Sequence, residues 1–306
     1  MRNPFFHFSL FALAVFILAV SGSWTSSGYS SSAVKATTGE RSTFWTVSKA
    51  AGIEEWRFTS DSTARKVKTV ADVTEDSRFD CRGLAWCSAF GDKPSLCLLE
   101  RDTRRRNGSG FFQPVPFAAG TRKQFNDAEF IVNSGGYGKY IYAQDYSTNG
   151  SKRSAILFWD NGQLERIYQL PEFSSFGVAD IAVDSTGNAW MIIRQYSEEK
   201  NQGEFFLRGF SPDGELVASV PVADYSEEHA YGFMLIAGKF YVAFGSSNKR
   251  YPGQLLALNY SDDEMQPGKS IPFFNDAHDL ASKNPGVPDI PLGNRKDCNN
   301  QPVKLK

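Results

Sequence analysis

Short apolar runs separated by glycine turns recur along most of the chain. The glycines at positions 91, 138, 187 and 238 lie about fifty residues apart. Each is preceded by an apolar, aromatic or β-branched run (84–90, 129–132, 180–184, 233–237) and followed by another (95–101, 140–146, 189–196, 240–246). Runs of this length and composition, bounded by turn residues, predict β-hairpins rather than helices.

A second set of turns falls on the same period. Aspartates mark these turns, each of which separates two further predicted strands: Asp61, Asp160, Asp213 and Asp262. Four strands per unit with tight turns, repeated every 45–50 residues or so, are typical of an all-β protein, the β-propeller, built of four-stranded antiparallel blades. The alternative is an ordinary β-sandwich with evenly spaced hairpins.

The number of blades follows from the units that can be delimited. Four full units cover residues 80–125, 128–171, 178–223 and 230–274, and residues 43–72 supply three more strands. The segment 278–281 (HDLA) resembles the start of a predicted inner strand, 180–183 (DIAV). We therefore expect the C-terminal segment to complete the first blade and remove the exposed sheet edges. The prediction is a propeller over 43–290 with five blades, or six as the alternative, followed by a tail, 291–306.

The N-terminus carries the pattern of an export signal. Arg2 is followed by an apolar run, 5–20, and then by small and polar residues. This order predicts a cleaved signal peptide over 1–23, followed by a Ser/Thr-rich linker, 24–42. The alternative is a membrane anchor, but the apolar run is shorter than the ~20 residues that a spanning helix needs. We expect a secreted or periplasmic protein with no membrane span after cleavage.

Four cysteines fit an oxidising destination. In an exported chain an even set of cysteines predicts disulfides, here among Cys81, Cys87, Cys97 and Cys298. Cys87 and Cys97 lie at equal distances from Asp92, so we expect them to face each other across a hairpin. A Cys81–Cys298 bond would then hold the tail across the ring closure. Buried free thiols are the alternative.

Composition narrows the class of partner. The 33 Lys and Arg residues balance 34 Asp and Glu residues, which argues against a nucleic-acid-binding protein. The hydrophobic fraction, 41%, is too high for a disordered chain. The 25 phenylalanines fit a propeller, in which large side chains fill the wedges between neighbouring sheets.

Acidic residues and histidines stand near the predicted starts of the inner strands, where a propeller brings distant segments together at the mouth of its channel. Such side chains suit a divalent metal, Ca²⁺ with oxygen ligands or Zn²⁺ if the histidines take part. The candidate metal ligands are Glu129, Asp180, His229 and His278, and the candidate ligand-binding residues are Asp80, Asp127 and Asp279. The alternative is that these residues cap strand starts and turns.

Residues 178–190 (VADIAVDSTGNAW) resemble the repeat of NHL and SMP-30/gluconolactonase-like β-propellers, in which an apolar strand with Ala-Val-Asp leads through Gly-Asn into an aromatic strand. The resemblance is good over one blade and implies a propeller fold. In the SMP-30-like lactonases a Glu, Asn and Asp set holds a metal, and Glu129 and Asp180 correspond to part of that set. The Asn-Gly that usually supplies one ligand is replaced here by Ala179-Asp180.

Three functions remain open at this point, one of which is a structural part of an extracellular assembly. The leading one is a secreted binding module for an extracellular protein, a glycan or a small molecule. The alternative is a metal-dependent hydrolase or lyase, lactonase-like, with its site at the channel mouth. The sequence contains neither a Gly-x-Ser-x-Gly motif nor a phosphate-binding glycine loop that would favour other chemistry.

Overall fold

The computed structural model describes residues 43–48, 51–73, 79–102, 110–117, 123–125, 131–146, 154–160, 163–169, 180–197, 202–226, 228–273, 277 and 279–291. All of them belong to one compact unit, Ala36–Lys306. The predicted signal peptide, the whole of the linker and all of the tail except residue 291 lie outside the described residues.

Twenty β-strands make up the regular structure of this part of the chain. They are β1 (Thr43–Ser48), β2 (Gly52–Ser60), β3 (Thr63–Ala71), β4 (Phe79–Cys87), β5 (Ser95–Asp102), β6 (Gly110–Pro114), β7 (Lys123–Phe125), β8 (Ile131–Gly138), β9 (Tyr140–Tyr146), β10 (Ser154–Asp160), β11 (Gln163–Gln169), β12 (Ala182–Val183), β13 (Ala189–Ser197), β14 (Gln202–Phe210), β15 (Leu216–Pro221), β16 (Ala230–Ile236), β17 (Lys239–Phe244), β18 (Gln254–Ser261), β19 (Glu264–Pro272) and β20 (Asp279–Ser282).

The strands form four sheets arranged as a β-propeller, which confirms the predicted all-β class. Three sheets have four strands each, in the orders β20-β1-β2-β3, β12-β13-β14-β15 and β16-β17-β18-β19. The fourth has eight, in the order β11-β10-β9-β8-β4-β5-β6-β7. The predicted number of blades, five or alternatively six, is not supported, because the described strands form four sheets and two of the predicted units share one of them.

The eight-stranded sheet is joined at its centre by a short parallel pairing. Strands β4 and β8 pair over Ala85↔Gly136, Trp86↔Tyr137 and Cys87↔Gly138, whereas the other pairings in the sheet are antiparallel. Gly136 permits this approach, since a Cβ built there would lie 3.0 Å from the Cβ of Ala85. The repeat in the sequence gives no sign that two units share a sheet, because each unit keeps its own four strands.

The ring closes as the sequence predicts. Strand β20, from the C-terminal part of the chain, pairs antiparallel with β1 in the register Phe44↔Ser282 to Val47↔Asp279. The first described strand is thus covered by the last, and β1 lies inside its sheet rather than at an edge.

The residues after β20 cross from one sheet to two others, and we call residues 283–291 the C-terminal strap. Backbone N–H groups of Ala237 and Gly238 donate to the carbonyls of Asn284 and Pro285, at 2.8 and 2.7 Å. The N–H of Ser185 donates to the carbonyl of Gly286 at 2.9 Å. The strap therefore ties the β12–β13 turn, the β16–β17 turn and β20 together at one end of the channel.

Aromatic side chains fill the space between the β12–β15 and β16–β19 sheets. Phe233 stacks on Phe240 with ring centroids 5.3 Å apart, and Trp190 packs against the same Phe240 at 5.5 Å. Gly209 makes room for the indole, because a Cβ at that position would lie 2.7 Å from the ring of Trp190. The prediction that aromatics are wedge fillers is confirmed at this interface.

The prediction that Cys87 and Cys97 face each other is wrong by two residues in the register of the hairpin. Cys87 pairs with Ser95, and Ala85 pairs with Cys97. The hairpin is centred on Gly91 rather than Asp92, so the two cysteines are diagonal neighbours on one face of the sheet. Both cysteines are buried in the core.

Candidate functional site

Two aspartates from different sheets meet at the end of the channel where the inner strands begin, which we call the mouth. Asp180 directly precedes Ile181 and β12, and Asp279 opens β20. Each places its carboxyl group at the start of its strand and accepts a hydrogen bond from the next backbone N–H: Ile181 N to Asp180 Oδ1 at 2.9 Å, and Leu280 N to Asp279 Oδ1 at 2.5 Å.

Each carboxyl group also bonds to a neighbouring inner strand. The N–H of Ser134, in β8, donates to Asp180 Oδ1 at 2.5 Å. The N–H of Leu84, in β4, donates to Asp279 Oδ2. The two side chains therefore link the inner strands β4 and β8 to the starts of β12 and β20.

The two acids also bond to each other in a site closed to water. Asp180 is 2% exposed and Asp279 is 1% exposed. The pKa of Asp279 is raised well above its ordinary value, chiefly by burial, and further by the charge of Asp180 and the hydrogen bond between the two side chains. Burial and a like charge both disfavour a second anion in this site, so they favour the neutral form of Asp279.

Small residues make room for this pair. A Cβ at Gly83 would overlap the Oγ of Ser134 and lie 3.2 Å from Asp279 Oδ2. Ser134 is itself fully buried. Neither residue is singled out by the sequence pattern. A glycine inside a strand is the one available signal, since it marks a close approach of another group.

Below the aspartates the channel is narrow. A cavity of about 20 Å³ lies there, room for about one water molecule. Residues from five inner strands line it, including Leu84 of β4, Gly136 of β8, Val183 of β12, Leu235 of β16 and Leu280 of β20. Pro285 of the C-terminal strap also lines this cavity, so the strap lies against the channel.

His229 lies at the start of β16, as predicted, but in a different setting. Its backbone has a φ of 55°, and its Nδ1 lies 2.8 Å from the hydroxyl of Tyr231. The neighbouring β17–β18 loop is organised by Asn248, whose Oδ1 accepts from the N–H groups of Arg250 and Tyr251 at 2.8 and 2.6 Å. The carbonyl of His229 accepts from Gly245 N of that loop at 2.9 Å.

The other predicted site residues cannot be placed. Glu129, Asp127, His278 and Cys298 lie outside the described residues, and Asp80 and Cys81 are described only as members of β4. Within the described part of the chain, no three His, Cys, Asp or Glu side chains come together in a way that could hold a metal ion. Of the predicted residues, the structure brings together Asp180 and Asp279.

Asp184 is a polar centre that the sequence reasoning did not single out. Its Oδ1 accepts from Thr186 N, Thr186 Oγ1 and Asn188 N at 2.6–3.0 Å, and its Oδ2 accepts from Asn188 Nδ2 and Trp190 Nε1 at 2.9 Å. The carboxylate is fully buried and holds the β12–β13 turn, with Gly187 at a φ of 92°. The Asp-x-x-Gly-Asn spacing therefore encodes a turn that buries an aspartate.

No protein-family model matches the chain, and no curated protein shows significant similarity to it. The described residues contain no helix that is long and apolar enough to cross a membrane.

Proposed function

We propose that this protein is an exported β-propeller that acts as a binding module for an extracellular protein, a glycan or a small molecule. The observation that carries the proposal is the Asp180–Asp279 pair. Its carboxyl oxygens accept backbone N–H groups from four inner strands and bond to each other. Because these carboxyl groups are already hydrogen-bonded within the protein, we assign the pair a structural role. We therefore expect a partner to bind the outer surface of the mouth.

The protonation of the pair supports a structural role. A metal ligand must be a carboxylate, and the raised pKa of Asp279 favours its neutral form. The cavity beneath the pair, about 20 Å³ in volume, has room for little more than one water molecule. Both features favour a channel that is part of the core over one that holds a substrate.

The rim of the mouth is where we place the partner. Strand alternation brings the β17–β18 loop to the same end as the inner-strand starts. Its polar groups have mixed charge: Arg250 pairs with Asp224 at 3.2 Å, and Lys249 pairs with Glu228 at 3.5 Å. His229 adds an imidazole and a backbone conformation that non-glycine residues rarely adopt.

We also propose that the eight-stranded sheet counts as two blades, giving a five-fold repeat. The parallel β4–β8 pairing covers three residue pairs, and five inner strands line the channel cavity. The resemblance of residues 178–190 to NHL and SMP-30-like repeats is likewise a proposal at the level of fold. It is supported by the Asp184 turn, which gives the Asp and Asn of that motif a structural role.

The second candidate is a metal-dependent, lactonase-like hydrolase or lyase, with Ca²⁺ or Zn²⁺ at the mouth. The observation that favours it is that Asp180 and Asp279, two acids predicted for the site, do converge there. Such a metal would have to displace the proton that the two acids hold between them. Glu129 and His278 would then be its further ligands.

Metal content separates the two candidates. We expect protein purified without chelator to carry no stoichiometric divalent metal by mass spectrometry, and its thermal midpoint to be unchanged by EDTA. An equivalent of Ca²⁺ or Zn²⁺ that is lost in Asp180→Asn would overturn the proposal. The matched control is Asp224→Asn, which makes the same change at an exposed rim position.

Binding itself is tested on a glycan and small-molecule array, with the best probe then titrated in solution. We expect Arg250→Ala, at the rim, to weaken that probe about tenfold, the loss of one charged contact. Lys269→Ala is the matched control, since Lys269 also forms a surface ion pair, with Asp61 at 3.8 Å, but lies on the outer strand β19. Equal effects of the two variants would exclude the rim as the binding surface.

A further inference from the structure

The sulfur atoms of Cys87 and Cys97 are 3.0 Å apart in the core between the two halves of the eight-stranded sheet. Cys87 ends β4 and Cys97 lies in β5. A disulfide has a bond length of about 2.05 Å, so the two sulfurs need to move by roughly 1 Å to be joined. The β4–β5 pairing already holds both residues on one face, with no rearrangement of the strands.

Both thiols are sealed off from solvent in the native protein. Each has an exposure of 0%. They pack in one cluster with Phe112 of β6, and with Ile141 and Ala143 of β9. The cluster thus includes side chains from both four-strand runs of the sheet, and β8 joins those runs by its pairing with β4.

We propose that Cys87 and Cys97 are a redox modification site, oxidised to a disulfide while the chain folds and then enclosed when β8 and β9 pack on the hairpin. This inference rests on the export that the proposed function includes, but not on the binding role. It selects one of the three ways in which four cysteines can pair. It also sets an order of events, since a bond enclosed in this cluster has to form before the cluster closes.

The oxidant is a low-molecular-weight or protein disulfide, reacting by thiol–disulfide exchange. One cysteine, as thiolate, attacks a sulfur of the oxidant, forms a mixed disulfide and releases one thiolate from the oxidant. The second cysteine then attacks its partner in that mixed disulfide and releases the other half of the oxidant. The two cysteines together lose two electrons and two protons, and the oxidant leaves as two thiols.

Peptide mapping gives a sharp test, because the sequence places both cysteines in one tryptic fragment. Lys93 is followed by Pro94, so trypsin leaves residues 83–101 intact, whereas Cys81 falls in a different fragment. The full chain is expressed with export, free thiols are blocked with N-ethylmaleimide in urea, and the digest is kept non-reduced. We expect fragment 83–101 without label and lighter than its reduced form by two hydrogen atoms.

A second cut confirms the linkage. Cleavage before Asp92 divides that fragment between the cysteines, and we expect the halves to separate only after reduction. In Cys97→Ser, Cys87 should take up the label in urea. Cys81→Ser is the control and should leave fragment 83–101 unlabelled. Recovery of Cys87 and Cys97 as labelled thiols, or joined to Cys81 or Cys298, would overturn the proposal.

Access to solvent tests the order of events. Oxidised protein treated with a phosphine reductant under native conditions should keep the bond, and the same treatment in urea should break it. If the bond is reduced equally fast in both conditions, the pair is not enclosed, and the inferred order is wrong.

Discussion

Two isosteric substitutions in the buried acid pair are expected to differ in their effect on stability. In Asp279 both oxygens accept backbone N–H groups, Oδ1 from Leu280 and Oδ2 from Leu84. In Asp180 a single oxygen, Oδ1, accepts the N–H groups of Ser134 and Ile181. An asparagine keeps one acceptor oxygen and turns the other into an NH₂ donor. Asp180→Asn preserves these backbone bonds, whereas Asp279→Asn breaks one of them.

The size of the difference follows from the group left unpaired. In Asp279→Asn a buried backbone N–H faces an NH₂ group, and an unsatisfied buried donor costs about 1–3 kcal/mol. In Asp180→Asn the acceptor oxygen for the Ser134 and Ile181 N–H groups is kept and the new NH₂ can donate to Asp279, so we expect the free energy of unfolding to stay within about 1 kcal/mol of the wild type. Urea unfolding followed by tryptophan fluorescence measures both values.

The pH dependence of the same variants provides a second readout. Because the folded protein holds a proton on Asp279 that the unfolded chain releases above pH about 3.9, this residue stabilises the fold most at acid pH. That contribution declines as the pH rises from about 4 towards the raised pKa of the folded state. The stability difference between wild type and Asp279→Asn should therefore narrow over that range.

Either of two results would refute this account of the pair. One is an Asp279→Asn variant as stable as Asp180→Asn, which would mean that the N–H groups of Leu84 and Leu280 do not depend on the carboxyl group. The other is a stability difference from the wild type that is constant with pH, which would mean that Asp279 is ionised in the folded protein.

Two further perturbations test other parts of the ring. Gly286→Ala should lower the free energy of unfolding by about 2 kcal/mol, because Gly286 has a φ of 72° and a Cβ there would lie 2.7 Å from Gly238 N. Gly91→Ala is the control and should leave the free energy of unfolding unchanged, because nothing lies within 4 Å of a Cβ at that position. Thermal or urea unfolding measures both. Asp184→Ala should lower the free energy of unfolding by about 3–5 kcal/mol in the same assay. Asp184→Asn keeps the three hydrogen bonds to Oδ1 and should lower the free energy of unfolding by about 2 kcal/mol. Equal losses in the two Asp184 variants would contradict the assigned hydrogen bonds.

Structural features that depend on residues close together in the sequence could be predicted from the local pattern. The hairpins, the turn at Gly187 and the inner strand near Asp279 all have signatures within a few residues, and the structure confirms them. The pairing of β20 with β1 was predictable because a chain with one strand missing at one end carried a matching strand at the other.

Contacts between units were not predictable in the same way. The parallel β4–β8 pairing depends on how closely two inner strands approach. Gly136 allows a close approach, but a glycine in the sequence does not indicate which strand will lie against it. The bonds of Asp180 to Ser134 and of Asp279 to Leu84 cross between inner strands far apart in the chain. A repeat period identifies each strand start, but it does not indicate which oxygen bonds to which neighbour.

The closure by β20 and the C-terminal strap has a consequence for the order in which the chain folds. β20 follows every other described strand in the sequence, yet it pairs with the first of them, β1. Until β20 is in place, β1 has an open edge, and the two turns that bond to the strap lack these partners. Because this pairing joins residues far apart in the chain, we expect it to be a late step in folding.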